Sequence, residues 1–554
     1  MRPRGGAPAG CANLLRDALM SGGFKTFSEP GSSILRDFRA AMQARRQTGL
    51  PLTTPLRAQR SFAASQSTVL SAGWPTWDAS INSLLRSALP VLKARSRHWS
   101  RNTGQGRRFL NLVRNGGVGP AGFPLRMQCG DWVKGPGGYK WQLDKLANDA
   151  IEAAWLEFCQ AGNCDASGKF SFGEACRLQL EMVARDGEFL GRHLRGAPNK
   201  WRYQVQLLAT DRLDHSANAD AVGSGNEVVL GVERSSVGRP EFLHVLRANP
   251  LDARGTRNAE RVPAGDMLHG FVAIDPEQVR GVPWSHAVLL GSHMLAGFSE
   301  SAVFAARAGA SQMGFLQQTA GEGGPLRPEE LGVKPDADGE LSKELRPGAV
   351  DLLPPGVTFV GFDPKYPSDA FGPFTNAVKQ DIAAGLNVAH HNLSGDMTGV
   401  NYSSARIAEL AERDGWRGVA HWFIGAWVVP VFREWLQLSL LASAIRLPSG
   451  AALPASKLDK YLAGVQFHGR GWDWVDPLKE VNAARIAREE GFTTRTQVVA
   501  AKGGDFEDNV AELAQESEIL AAHGVTLGAA QAGPPPQKAA PVAANPEEEK
   551  ELEE

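Results

Sequence analysis

The chain has 554 residues, with 59 Lys and Arg against 60 Asp and Glu, a formal net charge of −1 and 43% hydrophobic residues. That length holds roughly two to four domains with a sizeable core, and the balanced charge excludes bulk electrostatic attraction to nucleic acid or to an anionic membrane surface. The five cysteines, Cys11, Cys129, Cys159, Cys164 and Cys176, are odd in number and irregularly spaced, which argues against a disulfide framework and fits a reducing cytoplasm.

The opening "MRPRGGAPAGCANLL" lacks the apolar run of a secretory signal. Residues 1 to 70 carry many arginines and few acids and read as a basic arm without a stable fold. From 79 to 130 there is no Asp or Glu, while Arg86, Lys93, Arg95, Arg97, Arg101, Arg107, Arg108, Arg114 and Arg126 accumulate. Such a run reads as a nucleic-acid or partner contact, or more plainly as a solvated helix face balanced elsewhere in the chain.

Residues 141–290 read as mixed α and β. "WLEFCQ" and "FGEACRLQLEMVARDGEFLG" have helical spacing, while "WRYQVQLL" alternates, with Trp201, Tyr203, Val205 and Leu207 on one face. "NEVVLGVE" and "EFLHVL" read as further short strands, with "SSVGRP" as a turn between them. A long helix rich in small residues is expected from Ser285 to about Met313. The Gly, Pro and charge-rich stretch that follows, "GEGGPLRPEELGVKPDADGELSKELRPG", is too long for an ordinary connection and reads as a small module or a flexible loop.

"FGPFTNAVKQDIAAGL" returns to helix, with Phe371, Phe374, Val378, Ile382 and Leu386 on one stripe. A longer helix is expected from Tyr402 toward Leu441, kinked at Pro430. Its apolar run, 422–444, contains Arg433 and Glu434, a pair that a membrane span would have to bury, so the protein reads as soluble. Two more helices follow near 478–490 and 506–522, the second entered at Asp505 and stopped at Gly524. The tail from Ala529 is Pro- and Ala-rich and ends in "EEEKELEE", the signature of a disordered segment.

Four places in the sequence could carry chemistry. Ser403 and Ser404 have His390, His391 and His421 not far off in sequence, but no G-x-S-x-G is present. They sit where a helix begins, and Asn401 or Ser403 can cap its first turn, with Arg406, Glu409 and Arg413 pairing along the exposed side. Adjacent histidines chelate poorly, and no H-E-x-x-H occurs. "CQAGNCDASGKFSFGEAC" lacks both the second C-x-x-C of a zinc site and the acids of a calcium loop. There is no P-loop. The reading is a structural or binding protein with no catalytic residues, no metal and no cofactor.

The ordered set of motifs resembles the lambda-type portal proteins of tailed bacteriophages. The residues that carry the resemblance are "RFLNLVRNGGVGPAGFPLRMQ" (108–128), "RDGEFLGRHL" (185–194), "QLLATDRLD" (206–214), "VVLGVERSSVGRPEFLHVL" (228–246) and "LHGFVAIDPEQVRGVPW" (268–284). They continue with "RPGAVDLLPPG" (346–356), "FDPKYPSDAFGPF" (362–374), "IAAGLNVAHHNLSGDMTGVNYSSARIAEL" (382–410), "WFIGAWVVPVFREWL" (422–436) and "VDPLKEVNAARIAREEGFTTRTQVVAAKGGDFEDN" (475–509). The same blocks in the same order make the resemblance specific, most of all the Asn401, Tyr402, Ser403, Ser404, Arg406 run.

The resemblance implies an α+β portal fold: a basic arm (1–70), an α/β wing (71–284), a stem helix (285–314), a clip (315–360), a second stem and tunnel-loop region (361–446), a helical crown (447–525) and an acidic tail (526–554). It implies a homo-oligomeric ring, usually of twelve subunits, at one capsid vertex of the virion, assembled in the host cytoplasm. It also implies partners: the terminase large subunit, head-completion and tail connector proteins, scaffold and major capsid protein, and double-stranded DNA passing through the channel during packaging and ejection. No membrane is implied. Clip candidates for docking are Glu322, Arg327, Glu329, Glu330 and Lys334; tunnel-loop candidates facing DNA are Asp363, Lys365, Tyr366 and Ser368. The alternatives are a monomeric nucleic-acid-binding protein using 79–130 and a hydrolase built on 382–445.

Overall fold

The computed structural model describes residues 78–135, 138–220, 225–252, 258–310, 314–318, 357–361, 371–472, 477–502, 504 and 506–525. The basic arm, the clip candidates, the tunnel-loop candidates and the acidic tail lie outside the described residues. One compact unit spans Ala79–Glu554, and its architecture is α+β.

The acid-free stretch is helical. Ser80 caps α1 (Ile81–Asn102) by accepting the Ser83 N–H. Thr103 ends α1 on the Trp99 carbonyl and starts α2 (Gly104–Val113) by accepting the Gly106 N–H, so one residue turns the chain between two helices. A π-turn, Arg114–Val118, then leads to β1 (Leu125–Met127). Two glycines make that turn possible, because a Cβ on Gly116 would lie 2.5 Å from the Trp416 ring and one on Gly117 2.3 Å from Leu180.

Strands β2 (Gly130–Gly135) and β3 (Gly138–Leu143) form an exposed hairpin on which Trp132 and Trp141 meet edge to face at 5.4 Å. Helix α3 (Lys145–Phe158) follows, then α4 (Phe172–Asp186), which opens with a reciprocal capping box between Ser171 and Glu174. The helical spacing read through "DGEFLG" stops at Gly187, which is left-handed at φ 95°, and β4 (Glu188–Arg195) begins there. A three-stranded antiparallel sheet runs β10 (Met267–Phe271), β4, β5 (Tyr203–Leu208). On β5, Tyr203 and Val205 are buried as the alternation predicts, but Leu208 rather than Leu207 completes the inner face.

A second sheet is a meander of β6 (Glu227–Val229), β7 (Val232–Arg234), β8 (Pro240–Leu246) and β9 (Ala259–Pro263). "NEVVLGVE" is therefore two strands, folded at Leu230 and Gly231, both at positive φ, as a two-residue hairpin loop demands. Leu230 is an unusual choice there, and it is fully buried against Leu213, Val232 and Leu243. "SSVGRP" is the expected turn, closed by the Ser235 N–H on the Arg239 carbonyl.

Helix α5 (Leu289–Ala310) starts four residues later than the sequence suggests, and 311–313 lie outside the described residues. Strands β11 (Gly314–Gln318) and β12 (Val357–Gly361) pair in antiparallel register, so the charged excursion leaves and returns through one ladder. Then come α6 (Phe371–Gly385), the short α7 (His390–Ser394) and α8 (Tyr402–Phe423). The last is joined through a π-turn, Ile424–Val428, to α9 (Val429–Leu441). The irregularity expected at Pro430 thus lies upstream of it. Proline has no N–H to give the carbonyl four residues back and its ring crowds that carbonyl, so the preceding turn widens.

Helix α10 (Leu458–Ala463) and β13 (Val465–Phe467) return to pair with β1. Helices α11 (Pro477–Glu489) and α13 (Phe506–Ala522) fall where the sequence places them. Between them α12 (Arg495–Ala500) is entered through a Thr494–Gln497 capping box.

The main core is aromatic. Trp155 of α3 touches Phe158, Phe172, Phe432, Trp435 and Phe467 with ring centroids 4.9–6.0 Å apart. Trp427, in the second π-turn, lies on Gly191 of β4, where a Cβ would come within 3.0 Å of the indole. The widened turn therefore drives a tryptophan into the sheet. A second core joins Leu85 and Leu89 of α1 to the meander.

Candidate functional site

The Asn401–Arg406 run is a helix cap. The Asn401 side chain accepts the Ser404 N–H at 2.8 Å, and the Ser404 hydroxyl accepts the Asn401 N–H at 3.2 Å. Ser403 is exposed and takes no part in this box. Glu409 pairs with Arg413 at 3.0 Å as expected, but Arg406 turns to Glu480 of α11 at 3.4 Å. Tyr402 and Ile407 are exposed.

On the inner side of α8, Glu412 accepts from Trp416 Nε1 (3.0 Å), the Asn392 amide (2.9 Å) and the Ala389 N–H (2.8 Å). Glu409 accepts a second Asn392 bond at 3.1 Å. Burial would raise the Glu409 carboxyl, but the Asn392 and Arg413 bonds hold it below its ordinary value. The cap, Arg406, Glu409 and Glu412 thus fix α8 against α7 and α11.

The acid-free stretch finds its acids at the junction of α4, β4 and β5. Arg97 reaches Asp186 and Asp211, both at 2.7 Å, and Arg114 pairs with Glu181. Lys93, 4% exposed, donates to Glu188 at 2.8 Å and to Thr210 at 3.1 Å. Glu188 also receives Arg280 Nη2 at 2.6 Å and Nε at 2.9 Å, His269 Nε2 at 3.0 Å and the Gly281 N–H at 3.2 Å. Burial by itself would raise the Glu188 carboxyl; Arg280 and Lys93 outweigh it and hold that carboxyl well below its ordinary value. Burial lowers Lys93, against the pull of Glu188.

This ionic hub ties α1, β4, β10 and the segment leading into α5. Glycine makes it possible, since a Cβ on Gly187 would lie 2.6 Å from the Gly281 backbone and one on Gly281 1.9 Å from the Gly187 carbonyl. Only two bare backbones bring Glu188 and Arg280 side by side. Nothing local in the sequence pairs these positions, and Glu188, Arg280 and His269 are missing from the expected set.

Several helices leave large apolar side chains outside. On α5, Leu290, Met294 and Phe304 are 66–72% exposed along one side, and Val303 projects from another. Leu478, Leu513 and Ile519 do the same in the C-terminal helices, and Phe492 in the turn between α11 and α12. Among the described residues no three or more His, Cys, Asp or Glu group as metal ligands, and no helix is long and apolar enough to cross a membrane.

Residues 68–419 match the family described as phage portal protein, lambda family. The chain is 30% identical over 489 residues to a probable portal protein of Halomonas phage phiHAP-1, covering 87% of this chain and 90% of that one. The chain belongs to the lambda family of phage portal proteins. It is also 22% identical over 396 residues to portal protein B of Escherichia phage lambda, covering 66% of this chain and 73% of that protein. A neck of a native gene transfer agent particle computed with C12 symmetry is similar at a TM-score of 0.39 and 16% identity, over 78% of this chain and 96% of that one. The family match includes both the ionic hub and the capped start of α8, and the curated phage relative extends it across most of the chain.

Proposed function

We propose that this portal-family chain works as one subunit of a ring of about twelve at a capsid vertex, the channel for DNA packaging and ejection, and not as an enzyme. The observation that carries the reading is family membership joined to the open apolar faces of α5. A closed ring uses two different faces of each subunit, and α5 exposes large apolar side chains on more than one side. In this reading 71–284 is the wing, 285–314 and 361–446 supply the stem, and 447–525 is the crown.

The excursion 315–360 is the clip. Its base is the β11–β12 ladder, and Glu322, Arg327, Glu329, Glu330 and Lys334 would present it to the terminase large subunit and then to head-completion and tail connector proteins. Asp363, Lys365, Tyr366 and Ser368 would face the DNA. Scaffold and major capsid protein would meet the ring in the host cytoplasm before it becomes part of the virion. The reading as a monomeric nucleic-acid binder is weakened by the ion pairs that already engage Lys93, Arg97 and Arg114.

The test is the mass of the purified full-length protein by light scattering, with negative-stain images. The expected result is a ring with a central hole, about twelve times the 59.4 kDa chain. Phe304→Glu should break the ring into smaller species without unfolding them. A chain that stays monomeric in the presence of scaffold and capsid protein would overturn the reading.

A further inference from the structure

Between the end of α1, one face of α2 and the last turns of α4 lies a cleft of about 350 Å³. Its lining includes Arg101, Arg107, Arg114 and Arg185, with Glu181 as its one carboxylate. Glu181 engages Arg114 and Arg185, and Arg185 is shared with Asp186 at 2.9 Å. Arg101 and Arg107 are exposed, and among the described residues neither has an ion-pair or hydrogen-bond partner. Arg101 sits in the last turn of α1, where a cation complements the helix end. No such role is open to Arg107, in the first half of α2. With Arg114 and Arg185 already engaged by Glu181 and Asp186, the guanidinium groups of Arg101 and Arg107 leave a concave surface able to receive an acidic ligand.

We propose that this cleft receives the glutamate-rich segment 547–554 of the chain itself. The segment, "EEEKELEE", holds six glutamates and one lysine. Carboxylates match the forked guanidinium geometry already used by Glu181 in the same cleft. Reach is not limiting. Glu507, at the start of α13, lies 3.9 Å from Arg126, so the last helix begins on the face of the unit that carries β1. Beyond it, the stretch 526–547 can extend up to about 75 Å. Tethering also holds the acids at high effective concentration near the cleft. The cleft is thus the docking site of an acidic latch, closed within one subunit or between neighbouring copies.

The test uses the full-length protein with Arg101→Lys and Arg107→Lys, which keep the charge and add primary amines. Carbodiimide coupling without a spacer joins an amine only to a carboxylate in contact, and peptide mass spectrometry locates the link. The expected result is amide links from both positions to the 547–554 peptide, falling at least about fivefold between low and high salt. Hydrogen exchange supplies a second reading. Amides of 100–111 should exchange several-fold faster when the six glutamates are changed to glutamine in the otherwise native chain. Mixing isotopically heavy and light chains separates links within a copy from links between copies, and either kind supports the proposal. Amines that couple to other carboxylates but never to 547–554, with exchange of 100–111 unchanged by the glutamine substitutions, would overturn it. The outcome does not depend on the chain forming a ring.

Discussion

Glu188→Gln tests the ionic hub. The substitution keeps the shape and one acceptor oxygen but removes the carboxylate that pairs directly with Lys93 and Arg280, which are 4% and 1% exposed. Breaking a buried ion pair from one side costs about 3–5 kcal/mol, because the partner charge stays buried without compensation. Unfolding entropy of about 2.1 cal/mol/K per residue over roughly 400 ordered residues converts that into a fall in Tm of about 4–6 °C. The measurement is calorimetry or circular-dichroism melting at pH 7, at matched protein concentration so that assembly contributes equally.

The two cations are not equivalent. Arg280 keeps a bond to the Leu230 carbonyl at 2.8 Å, whereas Lys93 is left with the Thr210 hydroxyl. Lys93→Met added to Glu188→Gln should therefore recover part of the loss. The sign with pH follows from the depressed carboxyl. Glu188 contributes stability above its ordinary value of 4.5, and that contribution is lost as pH falls through its lower folded value. The gap between native and variant should hold from pH 7 down to about 4.5, shrink progressively as pH falls further toward the lower folded value, and be closed below it. A variant melting within about 1 °C of the native chain at pH 7, or a double variant no better than the single, would refute the reasoning.

Gly116→Ala should lower stability by about 1–3 kcal/mol, because its Cβ would meet the Trp416 ring at 2.5 Å. Gly418→Ala is the control: nothing lies within 4 Å of its Cβ, and in the interior of α8 it should stabilise by about 0.5–1 kcal/mol in the same melts. Asn401→Ala should cost about 1 kcal/mol through loss of the cap, while Ser403→Ala should change nothing measurable by denaturant titration. Phe304→Glu should shift the sedimentation profile toward smaller species with the circular-dichroism spectrum unchanged.

Local signals in the sequence located local structure. The helices α11 and α13 fall at their predicted places because turns and caps bracket short periodic runs. The Asn401 cap was legible for the same reason. The hairpin 130–143 and α12 were missed although signals existed: "KGPGG" between alternating runs, and a T-x-x-Q box at Thr494. The π-turn before α9 was displaced from its cause, since a proline perturbs the turn that precedes it. The clip and tunnel candidates lie outside the described residues, so their place rests on family resemblance alone.

What no local reading supplies is the partner across the fold, and the acid-free stretch shows why that matters. By composition, 79–130 reads as a surface for polyanions. In the folded chain part of that charge turns inward. Lys93 and Arg97 are neutralised by Glu188, Asp186 and Asp211, about a hundred positions later. These pairs require Gly187 against Gly281, a contact between two segments that share no pattern. A run of one sign of charge therefore reports an external partner only after its internal partners are subtracted. Lys93, Arg97, Arg114 and Arg126 meet carboxylates, Arg86 meets the Asn218 amide, and Arg108 meets the Asn392 carbonyl. Within the described residues the charges of Arg86, Arg95, Arg101, Arg107 and Arg108 meet no carboxylate, and of these only Arg101 and Arg107 line the cleft. The cleft is thus the place where uncompensated charge and a concave surface coincide, and that coincidence, not the basic run as a whole, marks it as a site for an acidic segment.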